Sequence, residues 1–347
     1  MTKSAIQDTT EGAQTRGGEP DPLEALEKAW QSWRQQPSVE LEERLVQLRQ
    51  AAAASLSLEP GRDSWPPQAP DLFPEHGHGL VEIEPAQLSM QTLASAVGHH
   101  GALLVRGLVP MARVHELREG IDQAMAMHDA WRAGAPLEKT SPWFRENPDV
   151  TTLSENDYAR KWTRQAQGVF TADSPRMLAL LLDTYARSGV LDTVREYLGE
   201  HPLLSAKKGV LRRVEPDLKL AGWHQDGRFL EQGEGIHTIN AWMSLSHCGK
   251  QAPGMDIIAR QLGRIVETGT HSAEMPWVVA QELIDETPEL REAWVRPDFA
   301  PGDVLFFDEF NLHRTGIGPD MSERRYAIES WFYAPSRRTA NDLYLAV

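Results

Sequence analysis

The chain has 347 residues, 41% hydrophobic and 24% charged, with a formal net charge of −15 at pH 7. This length and balance are ordinary for a soluble protein and suit one large domain, or one domain with an accessory segment. The acidic excess argues against nucleic acid or an anionic membrane as a partner of the whole chain, despite local pairs such as Lys207-Lys208 and Arg212-Arg213.

A single cysteine, Cys248, permits no intrachain disulfide and reads as an inert small side chain. The first residues lack an apolar signal core, and no apolar run has membrane-spanning length. A cytoplasmic, soluble protein is expected. Residues 1–20 are rich in Thr, Gly, Glu and Gln and are expected to be disordered. Asp21-Pro22 then opens a helix, with Asp as N-cap and Pro at the first helical position. Leu23, Leu26, Ala29, Trp30 and Trp33 recur at helical spacing. Beyond Pro37-Ser38 a second helix is predicted over residues 39–56, on a stripe of Leu41, Leu45 and Leu48. This helical hairpin, residues 21–58, is expected to cap the main domain, and a homodimerisation or docking arm is the alternative. Pro60, Pro66, Pro67, Pro70 and Pro74 mark residues 59–79 as a linker. His76 and His78 within it read as solvated loop residues rather than as a metal site.

The main domain is expected over residues 80–347. Residues 81–84 alternate as a strand, 88–97 read as a helix, 102–108 as a short apolar strand and 111–127 as a helix. Residues 130–170 bring together Trp131, Trp143, Phe144, Tyr158, Trp162 and Phe170 with Arg145, Arg160 and Arg164. They read either as an irregular layer over the core or as a substrate-covering region. Residues 174–198 return to helix. From Leu203 the pattern changes to short strands over 208–214, 223–229, 236–245, 255–258, 302–307 and 325–333, with helix again between 271 and 296. Short strands separated by turn signals predict an antiparallel sandwich or barrel. No Gly-rich loop joins a strand to a helix, so a dinucleotide or P-loop fold is disfavoured.

Chemistry concentrates in Gly222-Trp223-His224-Gln225-Asp226-Gly227. On an extended segment His224 and Asp226 share a face and can offer one metal ion two ligands. Such a pair arises readily by chance and needs its context. Pro301-Gly302-Asp303 launches an apolar strand that reaches His313 shortly afterwards, and Arg324 and Arg325 open the last long strand. On the strand over 236–245, Thr238, Asn240, Trp242 and Ser244 fall on one face and Ile239, Ala241, Met243 and Leu245 on the other. The polar face must look to water or to a functional cavity.

Taken in order, these segments resemble the iron(II)- and 2-oxoglutarate-dependent oxygenases, and among them the phytanoyl-CoA dioxygenase-like family. The resemblance runs over roughly residues 80–335. It is carried by Trp223 to Gly227, Ala241-Trp242, Pro301 to Phe307 leading to His313, and Ala327-Ile328, with Gly101 to Leu108 resembling the family's opening. It implies a mostly β core with flanking helices, in the double-stranded β-helix (jelly-roll, cupin-like) fold. It also implies Fe(II) held by His224, Asp226 and His313, a ligand set that leaves three coordination positions open, with 2-oxoglutarate and O2 as co-substrates. The far carboxylate of 2-oxoglutarate needs an arginine fork. Arg324 has the family spacing from His313 and is slightly favoured, while Arg325 has the better spacing to Ala327-Ile328. Trp242, Thr238 and Asn240 are expected beside the co-substrate, and Arg213, Arg314 and Trp223 beside the substrate. Halogenating relatives lack the carboxylate ligand, so Asp226 points away from halogenation. The implied reaction oxidises, first of all hydroxylates, an unactivated C–H bond of a small organic substrate with release of succinate and CO2. The alternatives are a non-catalytic cupin-like metal- or 2-oxoglutarate-binding regulatory protein, and an interaction protein that works through its helical hairpin.

Overall fold

The structure, a computed structural model, describes residues 21–77, 79–149, 158–218, 222–229, 235–340 and 342–347. The expectations for residues 1–20 and for His78 lie outside them. Asp21 accepts the Leu23 amide as N-cap, and the first helix runs over Pro22–Gln35. Ser38 caps the second, Val39–Ser55. The two pack as a hairpin whose apolar stripes turn inward: Leu26, Trp30, Trp33, Leu45, Ala52 and Ala53 are buried in the main core. Trp30 and Trp33 stack at 5.0 Å. The Arg49 guanidinium lies 4.8 Å from the Trp30 ring and donates to the Ala346 carbonyl. The hairpin rests on the helix Pro175–Arg187 and on the last strand, so its apolar stripe packs within the chain. In the linker, His76 donates a ring N–H to the Leu80 carbonyl at 2.6 Å. Among the described residues no helix is long and apolar enough to cross a membrane.

Thirteen strands are described: β1 Val81–Ile83, β2 Ala102–Val105, β3 Gly168–Phe170, β4 Leu203–Ser205, β5 Val210–Val214, β6 His224–Gln225, β7 Thr238–Ser244, β8 Gly254–Ile258, β9 Trp294–Val295, β10 Val304–Phe307, β11 Leu312–Gly316, β12 Arg325–Tyr333 and β13 Tyr344–Ala346. They form two sheets. The larger runs β1-β2-β10-β7-β12-β4-β13, with β5 also on β12 and β3 on β5. The smaller runs β6-β11-β8-β9. Every pairing among the described strands is antiparallel except β1 with β2. The two sheets face one another as the double-stranded β-helix, with most helices on the larger one and Gln281–Glu286 and Pro288–Ala293 on the smaller.

The period of two along each strand sorts the core into layers. On β7, Ile239, Ala241 and Met243 join the helix-covered core. Trp242 faces the other way, into the layer between the sheets, with Leu305, Phe307, Met255 and Ile257. β7 is central rather than an edge strand, so its polar face meets no solvent. Thr238 and Ser244 instead hydrogen-bond the carbonyls of Phe332 and Ser246. The turn into β10 depends on Gly302. Its φ is +95°, and a Cβ there would stand 2.4 Å from the Val109 carbonyl oxygen. Next to it the buried Asp303 carboxylate accepts from Arg106, the Gly107 amide and the Ala300 amide, tying the turn to the end of β2.

Three expected elements differ. The strand over 223–229 shortens to β6 followed by a 3-10 turn, Asp226–Phe229. The helix over 271–296 becomes two short ones, Gln281–Glu286 and Pro288–Ala293, broken at Pro288. His313 does not merely follow a strand but sits on one, β11.

Candidate metal centre

A two-residue strand carries the first chemical group, His224. β6 pairs with β11 so that His224 and His313 are direct cross-strand partners. Their rings stand 4.4 Å apart. Asp226 opens the 3-10 turn, which turns its carboxylate toward both imidazoles. Gln225 between them is fully buried and pins the bend: its side-chain amide donates to the carbonyls of Arg264 and Phe310 and accepts from the Val266 amide.

Nitrogen and oxygen atoms of His224, Asp226 and His313 lie within 4.8 Å of one another. Each histidine has Nδ1 at a carbonyl two residues earlier, His224 at Gly222 O (3.0 Å) and His313 at Asn311 O (3.1 Å). A carbonyl oxygen only accepts, so both Nδ1 atoms carry the proton and both Nε2 atoms present lone pairs. Those Nε2 atoms each stand 3.9 Å from Asp226 Oδ1. The other carboxylate oxygen, Oδ2, accepts from Asn240 Nδ2 at 2.5 Å. Burial lowers His224 to about 4, with His313 adding to the effect, and burial also lowers His313. Burial raises the ion-free Asp226 to about 6 against the pull of His224 and Lys208. Two neutral imidazoles and one carboxylate therefore converge from prearranged orientations, a donor set that fits a divalent first-row ion and leaves coordination positions open.

Asn240 thus holds one oxygen of Asp226 while also lining the space beside the ligands. Asn240→Ala should weaken iron(II) binding by ~10- to 100-fold, the range for an outer-shell partner. Anaerobic metal titration measures it, and unchanged affinity would remove that role from Asn240.

A cavity of about 670 Å³ opens from this group between the sheets. Arg325 lines it and is 3% exposed; its Nη1 donates to the Gly254 carbonyl, its guanidinium lies 5.5 Å from the Trp242 ring, and its buried Nε has no hydrogen-bond partner among the described residues. Burial lowers its pKa. Arg324 is half-exposed outside, paired with Glu215 at 3.2 Å. The expectation that favoured Arg324 is therefore corrected: neighbouring residues on a strand point to opposite faces, and the inward one is Arg325. The same parity corrects Arg213, which pairs with Asp122 at 2.7 Å outside the cavity. Arg212 points inward and grips Glu329 through Nε and Nη2 at 2.9 and 3.1 Å. Burial works to raise Glu329, but Arg212, Arg325 and His313 hold it below its ordinary value. Trp242 and Asn240 line the cavity; Thr238 does not.

Arg314 and Trp223 also line it. Arg314 lies over Trp223 and Trp294 at 4.6 and 5.1 Å and donates to Asp256 and Gln281. The sequence reading passed over Lys208, Glu329, Trp331 and Trp277, all of which line the cavity. Glu329 and Trp331 were findable, since they share the face of Arg325 at a spacing of two. From the aromatic segment over 130–170, Trp162 reaches the cavity, while Arg145, Arg160 and Arg164 are tied to Glu43, Asp173 and Asp129.

Compared with known proteins, residues 98–317 match the model of the family described as phytanoyl-CoA dioxygenase (PhyH), more than half of the chain. No curated protein matches the chain's sequence. Among solved structures, the chain is similar to the non-heme alpha ketoglutarate dependent carbocyclase SnoK from nogalamycin biosynthesis, at 16% identity and a TM-score of 0.45, covering 73% of this chain and 87% of that one. It is similar to EctD from S. alaskensis with 2-oxoglutarate and 5-hydroxyectoine, at 18% identity and a TM-score of 0.48, covering 82% and 89%. A further structure of EctD from S. alaskensis, with bound Fe, is similar at 18% identity and a TM-score of 0.48, covering 74% and 79%.

Proposed function

The chain belongs to the phytanoyl-CoA dioxygenase family, and we propose that it is an iron(II)- and 2-oxoglutarate-dependent oxygenase that hydroxylates a C–H bond of a small organic substrate, with His224, Asp226 and His313 as its iron ligands. The observation that carries the reading is the convergence of two Nε2 lone pairs and a buried carboxylate on one point at the end of a cavity. A non-catalytic metal-binding role is not favoured by a cavity of this size opening on the ligands.

When bound, iron(II), O2 and 2-oxoglutarate supply the oxidising chemistry, the keto acid leaving as succinate and CO2. The chain's own residues prepare for it. The Gly222 and Asn311 carbonyls hold the imidazoles in the tautomer that binds metal. Asn240 holds one oxygen of Asp226 and leaves the other facing the histidines. Arg325, its buried Nε without a hydrogen-bond partner among the described residues, would take the far carboxylate of 2-oxoglutarate in a bidentate grip. Trp242, Phe307 and Met255 wall the space between the ligands and Arg325 and keep bulk water from it. The pair Arg212–Glu329 closes the facing wall without leaving a net charge.

The test is direct. Purified protein given iron(II), 2-oxoglutarate and O2 should form succinate slowly even without its prime substrate, and a chelator that strips the metal should stop it. Tight binding of both without succinate under any condition would return the protein to a binding role.

A further inference from the structure

The strand that carries His224 is two residues long and ends the smaller sheet, and a pairing that short is marginal by itself. Gln225 pins one side of the bend. The other side is held by the residues that flank the ligands. Trp223 precedes His224 and Arg314 follows His313. With the two histidines opposite one another on antiparallel strands, these neighbours also meet across the strands. The Arg314 guanidinium lies 4.6 Å from the Trp223 ring and 5.1 Å from that of Trp294. Both residues then converge on one atom. Gln281 Oε1 accepts from Trp223 Nε1 at 3.1 Å and from Arg314 Nη1 at 2.8 Å. An amide oxygen has two lone pairs, so these two donors fill it. Trp223 is 1% exposed, and a buried indole N–H needs an acceptor, which Gln281 supplies. Two further ties hold the group in place. Arg314 Nε donates to Asp256 on β8, and the Trp223 carbonyl accepts from the Val279 amide at 2.8 Å.

Resting on the metal-centre reading above, we propose that Gln281 is a positioning residue for the iron ligands: its side-chain oxygen clasps Trp223 to Arg314 and so fixes the His224 imidazole against that of His313. Gln281 acts through the ligands' neighbours rather than on the metal. Opening the clasp therefore leaves every ligand present and changes how they stand around the ion.

The probe is cobalt(II), titrated in place of iron(II) into the full-length protein. The readouts are its affinity and its visible absorption, which reports the geometry of the ligands around the ion. Gln281→Leu should weaken cobalt(II) binding severalfold, below the ~10- to 100-fold that loss of a direct outer-shell partner costs, and should alter the absorption. Gln281→Glu keeps an oxygen for both donors and should restore both readouts. Glu282→Ala removes the bond from Ser272 to the same short helix without touching the clasp, and should leave both at their wild-type values. Trp223→Phe keeps a ring under Arg314 and loses the N–H. It should act in the direction of Gln281→Leu, and the two combined should cost little more than either alone. Additive losses would overturn the proposal, as would a Gln281→Leu protein with wild-type affinity and absorption, a loss that Gln281→Glu does not restore, or an equal loss in Glu282→Ala. Failure of the metal-centre reading is seen separately, as wild-type protein that binds neither cobalt(II) nor iron(II).

Discussion

Arg325→Ala should weaken 2-oxoglutarate binding by about 2–5 kcal/mol, the cost of truncating one partner of a buried hydrogen-bonded charge pair. Arg324→Ala should leave it near the wild-type value, because that side chain is half-exposed in a surface pair with Glu215. Anaerobic calorimetry with iron(II) present separates the two. Arg325 also donates to the Gly254 carbonyl and lies over Trp242, so its loss can loosen the fold. Arg325→Lys addresses that: it keeps a charge but removes the planar fork, and should still bind 2-oxoglutarate more weakly than wild type. Equal losses in the two alanine variants would mean that the inward arginine is not the clamp.

Asp226→Ala should lower iron(II) affinity and succinate formation by more than the ~100-fold that loss of an outer-shell partner costs. The pH dependence adds a second signature. With no ion bound, burial holds Asp226 at about 6 while His224 stays near 4. Protons therefore compete with the ion first at the carboxylate. Wild-type iron affinity should be full above pH 7 and fall as the pH drops through about 6, before His224 charges. In Asp226→Ala the affinity that remains should lack that fall. A titration with the same slope in the variant would place the competing proton elsewhere. Asn240→Ala, which keeps the ligand but loosens its aim, should fall between the two.

Much of this was legible in the sequence because the ligand motif is local and the strands are patterned. The spacing of His224 and Asp226 alone could have been chance; it was the family resemblance, carried by several segments in order, that singled them out together with His313. The errors share one physical origin. Arg324 was preferred to Arg325, and Arg213 to Arg212, and in each case the residue that faces the cavity is the neighbour. Side chains alternate strictly along a strand, so a one-residue uncertainty in where it begins inverts its faces. Pairing decides the matter: Ala327 opposes Arg212 and Glu329 opposes Trp242, a register set by long-range contacts that spacing alone does not contain. Thr238 failed for a different reason. Its face was read correctly, but its hydroxyl is taken by the Phe332 carbonyl. Lys208 was invisible as a cavity residue because it lies on a turn whose direction depends on β4 and β5 together.

The pairing of His224 opposite His313 also constrains which changes the chain can accept. The stretch that joins β8 to β9, beyond Val266 and before Val279, can lengthen or shorten with little consequence for the ligands, because the cost of closing a loop grows only slowly with its length. A single residue inserted into or deleted from β6 or β11 is another matter. It would send one imidazole to the far face of the smaller sheet while leaving the composition of the chain almost untouched. Tolerance to insertion should therefore drop sharply at the borders of these two short segments. A scan of one-residue insertions would outline the centre without any ligand being substituted.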